Sequence, residues 1–242
     1  MKRTALITGA SRGIGKEIAR RLSEAGWQVT VSARTESALL ETAEQLRSTG
    51  VEVNPIVADM ASEEDVVRLG RAHVDRFGRL DALILNAGMG SIGAFEEFPV
   101  RRFDKLYDVN VRSAYVLIQT VLPTLRSTSE SAGSSRVIAV SSLTGVASEP
   151  FNSAYGASKA ALTSLCETFN TEESSGGVSA TSICPGYVAT DMTAPLTGTV
   201  PADSMINPAD VAELVVGMTR LGRSAVVSMI PISRPGSHVW RA

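Results

Sequence analysis

Short apolar or β-branched runs alternate along this chain with amphipathic stretches, and that alternation constrains the fold more than any single motif does. The runs are Ala5 to Thr8, Val29 to Ala33, Val51 to Ala58, Leu83 to Leu85, Val137 to Val140, Ser179 to Cys184 and Val226 to Ile230. Between them, helical periodicity predicts helices over Ile14 to Ala25, Glu36 to Ser48, Glu63 to Phe77, Phe103 to Leu125, Ala154 to Phe169 and Pro208 to Arg220. Strands joined by crossovers of that length run parallel, and their helices cover both faces of the sheet. The expectation is an α/β, doubly wound parallel sheet of about seven strands in a single domain over residues 1–242, with no linker between two cores. The polar stretch Ser127 to Ser135 reads as a surface loop, and Glu172 to Gly177 as a helix end followed by a turn. Residues Tyr187 to Asn207 follow neither period, and an irregular segment of that length in an otherwise regular chain is expected to be a substrate lid.

Composition narrows the function classes. A chain of 242 residues with 44% hydrophobic and 20% charged content can bury a sizeable core. Its net charge of −2 offers no general attraction to nucleic acid or to an anionic membrane, so neither is expected as a partner. The apolar run Ala5-Leu6-Ile7 stops at Gly9, too short for a membrane span or a secretory core, and a cytosolic protein is expected. Cys166 and Cys184 lack metal-ligand spacing and read as buried thiols, and no metal site is expected.

The first strand runs into Thr8-Gly9-Ala10-Ser11-Arg12-Gly13-Ile14-Gly15, and a helix follows at once. Glycines permit a tight strand-to-helix turn and close approach of a pyrophosphate to backbone amides at the positive end of the helix. The spacing is not G-x-G-x-x-G, and a Walker-type phosphate loop fails because Ala10 and Glu17 stand where Gly and Ser or Thr are required. Gly9 to Gly13 also spells G-x-S-x-G, the nucleophile elbow of α/β-hydrolases, but that chemistry needs a histidine base. His73 and His238 are the only two, and both read as solvated side chains.

Further on, Ser-Ala-Tyr-Gly-Ala-Ser-Lys places Tyr155 and Lys159 four residues apart, on one face of a helix. A cation beside a phenol favours the phenolate, so Lys159 is expected to lower the Tyr155 pKa from about 10 toward the range useful for proton transfer.

Taken together and in order, the glycine turn, Asp59, Asn86-Ala87-Gly88, Asn110, Ser142, Tyr155-x-x-x-Lys159 and Pro185-Gly186-x-Val188-x-Thr190 make the chain resemble the short-chain dehydrogenase/reductase family over nearly its whole length. The resemblance implies a Rossmann-type fold and an oxidoreductase that binds NAD(H) or NADP(H) and interconverts a small-molecule carbonyl and a secondary alcohol. It implies catalytic roles for Asn110, Ser142, Tyr155 and Lys159: Tyr155 as general acid/base, Ser142 on the substrate oxygen, Lys159 also on the nicotinamide ribose, and Asn110 holding a relay water. It implies cofactor contacts from Gly9, Ser11, Arg12, Gly13, Ile14, Gly15, Asp59, Asn86, Ala87, Gly88, Tyr155, Lys159, Pro185, Gly186, Val188 and Thr190. Ser142, Leu143, Tyr155 and Tyr187 are expected on the substrate side, and a homodimer or homotetramer is expected.

Charge selects the cofactor. The second strand ends Ser32-Ala33-Arg34, with no carboxylate for a ribose 2′-hydroxyl, while Arg34 and Arg12 suit a 2′-phosphate; NADP(H) is expected. Many members of the family reduce 3-oxoacyl groups on a carrier protein and end their last strand in Val-Asp-Gly-Gly. This chain reads Met229-Ile230-Pro231-Ile232-Ser233-Arg234-Pro235-Gly236 instead, a departure from that subgroup. A dinucleotide-sensing protein without catalysis is the alternative of another class, and the presence of Ser142, Tyr155 and Lys159 argues against it.

Overall fold

In the computed structural model, which describes residues 2–198 and 200–237, seven strands form one parallel sheet in the order β3-β2-β1-β4-β5-β6-β7. The strands are β1 (Thr4–Thr8), β2 (Gln28–Ala33), β3 (Val53–Val57), β4 (Ala82–Leu85), β5 (Ser135–Val140), β6 (Val178–Pro185) and β7 (Met229–Ile232). The helices are α1 (Gly13–Glu24), α2 (Glu36–Arg47), α3 (Glu63–Phe77), α4 (Val100–Tyr107), α5 (Ser113–Ala132), α6 (Ser153–Glu173) and α7 (Pro208–Met218).

Because successive strand residues point to opposite faces, β1 divides its side chains between two cores. Ala5 and Ile7 pack with Ile18 and Leu22 of α1, Leu39 of α2 and Val211 and Val215 of α7. Leu6 packs on the other face with Leu69 of α3, Leu117 of α5 and Leu162 of α6. Burial on both faces is why the strands read as continuous apolar runs rather than as alternations. The strand order reverses between β1, which pairs with β2 on one side, and β4 on the other. Ligands of open α/β sheets bind at such a switch point, beyond the carboxyl ends of the strands.

Four expectations are corrected. The helix expected over Phe103 to Leu125 is divided into α4, a π-helical turn (Asp108–Arg112) and α5. Ser127 to Ala132 is not a loop but the last turns of α5, with Thr128 and Ser129 buried. Those hydroxyls are tolerated because each is partnered: Thr128 Oγ1 accepts from the Leu80 amide at 2.9 Å, and Ser129 Oγ donates to the Gly176 carbonyl at 2.9 Å. The last strand begins at Met229, so Val226 lies outside it. His73 is wholly buried rather than solvated, and burial drives its pKa down to about 4; His238 lies outside the described residues.

Candidate active site

The glycine turn joins β1 to α1 at the centre of the sheet. Gly9 adopts φ +66° and Gly13 φ +55°, the left-handed region that side chains disfavour. At Gly15 a Cβ would stand 2.3 Å from both the Gly9 carbonyl oxygen and Asn86 Nδ2, so no other residue fits there. Asn86 explains the crowding: its Nδ2 donates to the Thr8 and Gly9 carbonyls, both at 3.0 Å. Thr8 Oγ1 in turn accepts from the Asn86 and Ala87 amides at 3.0 Å. The Asn86 side-chain nitrogen therefore holds the glycine turn in shape.

This turn fits a dinucleotide pyrophosphate. No side chain caps α1 among the described residues and its first turn has no acid, so the first amides point outward with their donors available at the positive helix end. The Ala10 amide donates to the Ser32 carbonyl at 2.9 Å, which sets the turn beside the end of β2, where Arg34 is exposed. Among the described residues Arg34 has no side-chain hydrogen bond, whereas Arg12 pairs with Asp191 at 3.1 Å across the base of the 187–207 segment. Asp59, after β3, accepts from the Ala61 amide at 3.0 Å and donates its own amide to Asp65 at 2.9 Å.

At the carboxyl end of β5 two adjacent serines take opposite roles. Ser141 Oγ turns into the protein, donating to the Lys159 carbonyl at 2.9 Å and meeting Thr163 Oγ1 at 3.0 Å. Ser142, in extended backbone, turns the other way; its Oγ accepts from Thr144 Oγ1 at 2.9 Å and lies near enough to the Tyr155 phenol to favour its ionised form. Both Tyr155 and Lys159 lie in the first two turns of α6, and the Lys159 ammonium is buried 5.8 Å from the centre of the Tyr155 ring.

The electrostatics differ from expectation. Lys159 Nζ donates to the Val140 carbonyl at 2.8 Å, and burial lowers the ammonium to about 8. Burial likewise pushes the Tyr155 phenol above its ordinary value, with hydrogen bonding to Ser142 opposing it. Desolvation dominates the phenol, while the Lys159 ammonium makes its hydrogen bond to the Val140 carbonyl. At neutral pH the phenol is thus held as the neutral acid.

Asn110 sits in the π turn, where the widened helix lets its side chain reach two other elements. Its Oδ1 accepts from the Met89 amide at 2.9 Å, and its Nδ2 donates to the Met89 carbonyl at 3.0 Å and to Ser158 Oγ at 2.9 Å. A Cβ on Gly88 would lie 3.3 Å from Lys159 Nζ and 3.4 Å from Asn110 Oδ1, so these two groups face the same small space. Ser158 escaped the sequence reading, since a serine beside a lysine carries no signal until the π turn brings Asn110 to it.

On the substrate side, Leu143 is fully buried. The Tyr187 hydroxyl donates to Glu149 Oε1 at 2.6 Å, and burial, together with this carboxylate, raises the Tyr187 phenol to about 12. Gly186 is tied to Ile232 of β7, its amide donating to that carbonyl at 2.9 Å. Thr190 lies against Gly13, its Cγ2 being 3.2 Å from where a Cβ would stand. The two ends of the 187–207 segment are fastened together: Val188 pairs with Ile206, and the Ile206 amide donates to the Tyr187 carbonyl at 2.9 Å. Between them lie two short 3₁₀ turns, Ala194–Leu196 and Ala202–Ser204.

No helix among the described residues is long and apolar enough to cross a membrane, and no cluster of side chains among them could hold a metal ion. A rhamnolipids biosynthesis 3-oxoacyl-[acyl-carrier-protein] reductase of Pseudomonas aeruginosa is 36% identical over 236 residues, 97% of this chain and 90% of that protein. The solved structure of Pseudomonas aeruginosa RhlG in an NADP active-site complex matches with a TM-score of 0.87 at 33% identity, covering 96% of this chain and 94% of that one. An alcohol dehydrogenase from the archaeon Thermococcus sibiricus, complexed with 5-hydroxy-NADP, matches with a TM-score of 0.88 at 27% identity, covering 100% of this chain and 99% of that one. With the family model for short chain dehydrogenases matching residues 3–200, the chain belongs to that family of oxidoreductases.

Proposed function

We propose that this protein is an NADP(H)-dependent oxidoreductase that interconverts a ketone and a secondary alcohol. The observation that carries this reading is the meeting of Ser142, Tyr155 and Lys159 at the carboxyl end of β5, beside a glycine turn shaped for a pyrophosphate. The outward amides of the glycine turn would hold the pyrophosphate, Arg34 the 2′-phosphate, Lys159 the nicotinamide ribose, and Val188 and Thr190 the carboxamide. When bound, NADPH supplies the hydride.

The chain's own groups handle the oxygen and the proton. Ser142 donates a hydrogen bond to the carbonyl oxygen and stabilises negative charge as it develops there. Tyr155, kept protonated by burial, gives its proton to that oxygen, which suits the reducing direction. Lys159 stabilises the tyrosinate that results, and with Asn110 facing the same space it forms the inner end of a path for reprotonation. The 187–207 segment, with its ends fastened and its middle irregular, would close over the ligands and exclude water. Reduction of a 3-oxoacyl group on a carrier protein is a narrower reading, favoured by the relative from Pseudomonas aeruginosa that matches 97% of this chain.

The test is a ketone panel followed by NADPH absorbance, with NADH alongside. Ketone-dependent NADPH consumption is expected, with NADPH bound tighter than NADH by about 2–3 kcal/mol, the worth of charge-assisted hydrogen bonds. Arg34→Asp should move the preference toward NADH. Equal affinity for the two cofactors, or tighter NADH, would contradict the assignment.

A further inference from the structure

Phe151 is the one residue other than glycine with positive φ, +64°, among the described residues. A bulky side chain in that region is a backbone outlier, and such outliers gather at functional sites. Burial does not compensate for it, since 62% of Phe151 is exposed.

The surroundings show what holds it there. The Phe151 carbonyl accepts from the Gly93 amide at 2.9 Å, tying it to the loop that follows β4. On its other side Asn152 Nδ2 donates to Glu149 Oε2 at 2.9 Å, and Glu149 also receives the Tyr187 hydroxyl. Three loops that border the candidate site are thus linked through residues 149–152, and Phe151 stands four residues before Tyr155. Ile92, the neighbour of Gly93, is 55% exposed. Met192, from the 187–207 segment, packs against the same loop, its Sδ lying 3.7 Å from where a Cβ on Gly90 would stand; it too is 53% exposed. Ile92, Phe151 and Met192 thus stand on the linked segments that follow β4, β5 and β6, and exposed apolar side chains grouped on one surface mark one that is covered in use.

We propose that Phe151 is a specificity-determining residue: with Ile92 and Met192 it forms an apolar wall at the mouth of the site, which selects ketones bearing an extended apolar arm over short ones. This proposal rests on the oxidoreductase reading for the identity of the reacting group. The three wall residues carry no charge and no hydrogen-bond donor, so the arm they recognise is hydrocarbon. Each methylene laid against such a wall is worth up to about four-fold in affinity.

The experiment compares 2-butanone with 2-nonanone in the parent protein, Phe151→Gly and Phe151→Leu. Glycine removes the ring and is at ease at this φ, so Phe151→Gly should fold with unchanged or higher Tm. The ratio of kcat/KM for 2-nonanone over 2-butanone should fall about ten-fold in Phe151→Gly, through KM for the longer ketone, and Phe151→Leu should retain most of it. An unchanged ratio in Phe151→Gly overturns the proposal. Should the parent oxidise NADPH with neither ketone nor any other of the panel, the oxidoreductase reading fails, and calorimetric titration of the two ketones decides this one independently. Tighter binding of 2-nonanone than 2-butanone in the parent, lost in Phe151→Gly, upholds it; equal binding of both ketones, or no change in the variant, overturns it.

Discussion

Ser141 and Ser142 show how one residue of register decides chemistry. Successive residues at a strand end point to opposite sides, so Ser142 meets Tyr155 while Ser141 anchors the carbonyl of Lys159. Ser142→Ala should therefore lower turnover by about 10²–10³-fold, the range seen when one donor to a developing oxyanion is removed, with NADPH affinity retained. Ser141→Ala should instead leave turnover within a few-fold and lower stability by about 1–2 kcal/mol, since the buried hydrogen bonds of its hydroxyl to the Lys159 carbonyl and Thr163 are lost. Parallel kinetics and urea denaturation of the two variants check this division, and a reversed pattern would put the wrong serine in the site. Family resemblance alone pointed to Ser142; the direction in which each hydroxyl points follows from backbone geometry that the sequence pattern does not encode. The same holds for Lys159, where proximity to Tyr155 suggested a lowered phenol pKa and burial reversed the sign.

Among the elements, the strands and most helices were legible because each carries one dominant period. The exceptions share a cause: polar residues that tertiary partners satisfy. The end of α5 looks like a loop because Ser127, Thr128 and Ser129 are poor helix formers, yet Leu80 and Gly176 supply hydrogen bonds to Thr128 and Ser129. Likewise the π turn at Asp108–Arg112 leaves no mark in the apolar pattern, although it aims Asn110 at Ser158 and Met89. In α3, His73 is bonded at both nitrogens: the Arg79 carbonyl at 3.0 Å can only accept, so Nε2 carries the proton and Nδ1 accepts from Thr30 Oγ1 at 2.8 Å. A charged ring would have two donors and would lose solvation, which is why its pKa lies near 4. The unfolded chain takes up this proton near 6.5 and the native chain only near 4, so stability declines as pH falls through that window, by about 3 kcal/mol in all. Urea denaturation between pH 7 and 4 should show this decline, and His73→Gln should flatten it. An identical pH profile in the variant would mean that another group governs acid stability.

At the scale of the whole molecule, the sheet order brings into one cleft pieces that are far apart in sequence. The turn after β1, the loop after β4, the serine after β5 and the segment after β6 all lie at carboxyl strand ends, flanking the reversal between β1 and β4. That convergence was legible, since alternating strands and helices wind this way with one hand. Substrate selection was not, because it depends on loop contacts such as Phe151 to Gly93 and Tyr187 to Glu149 that leave no periodic trace. The proposed site divides its labour: the glycine turn and Arg34 would hold the cofactor, and Tyr155 would supply the proton. Tyr155→Phe separates these directly, because it keeps the ring and removes only the acidic hydroxyl. Paired measurement of NADPH affinity and ketone turnover in this variant should show binding within a few-fold of the parent and turnover reduced by about 10²–10⁴-fold, the usual worth of a general acid. Near-normal turnover in Tyr155→Phe, on a ketone the parent reduces, would place the proton donor elsewhere and contradict the mechanism.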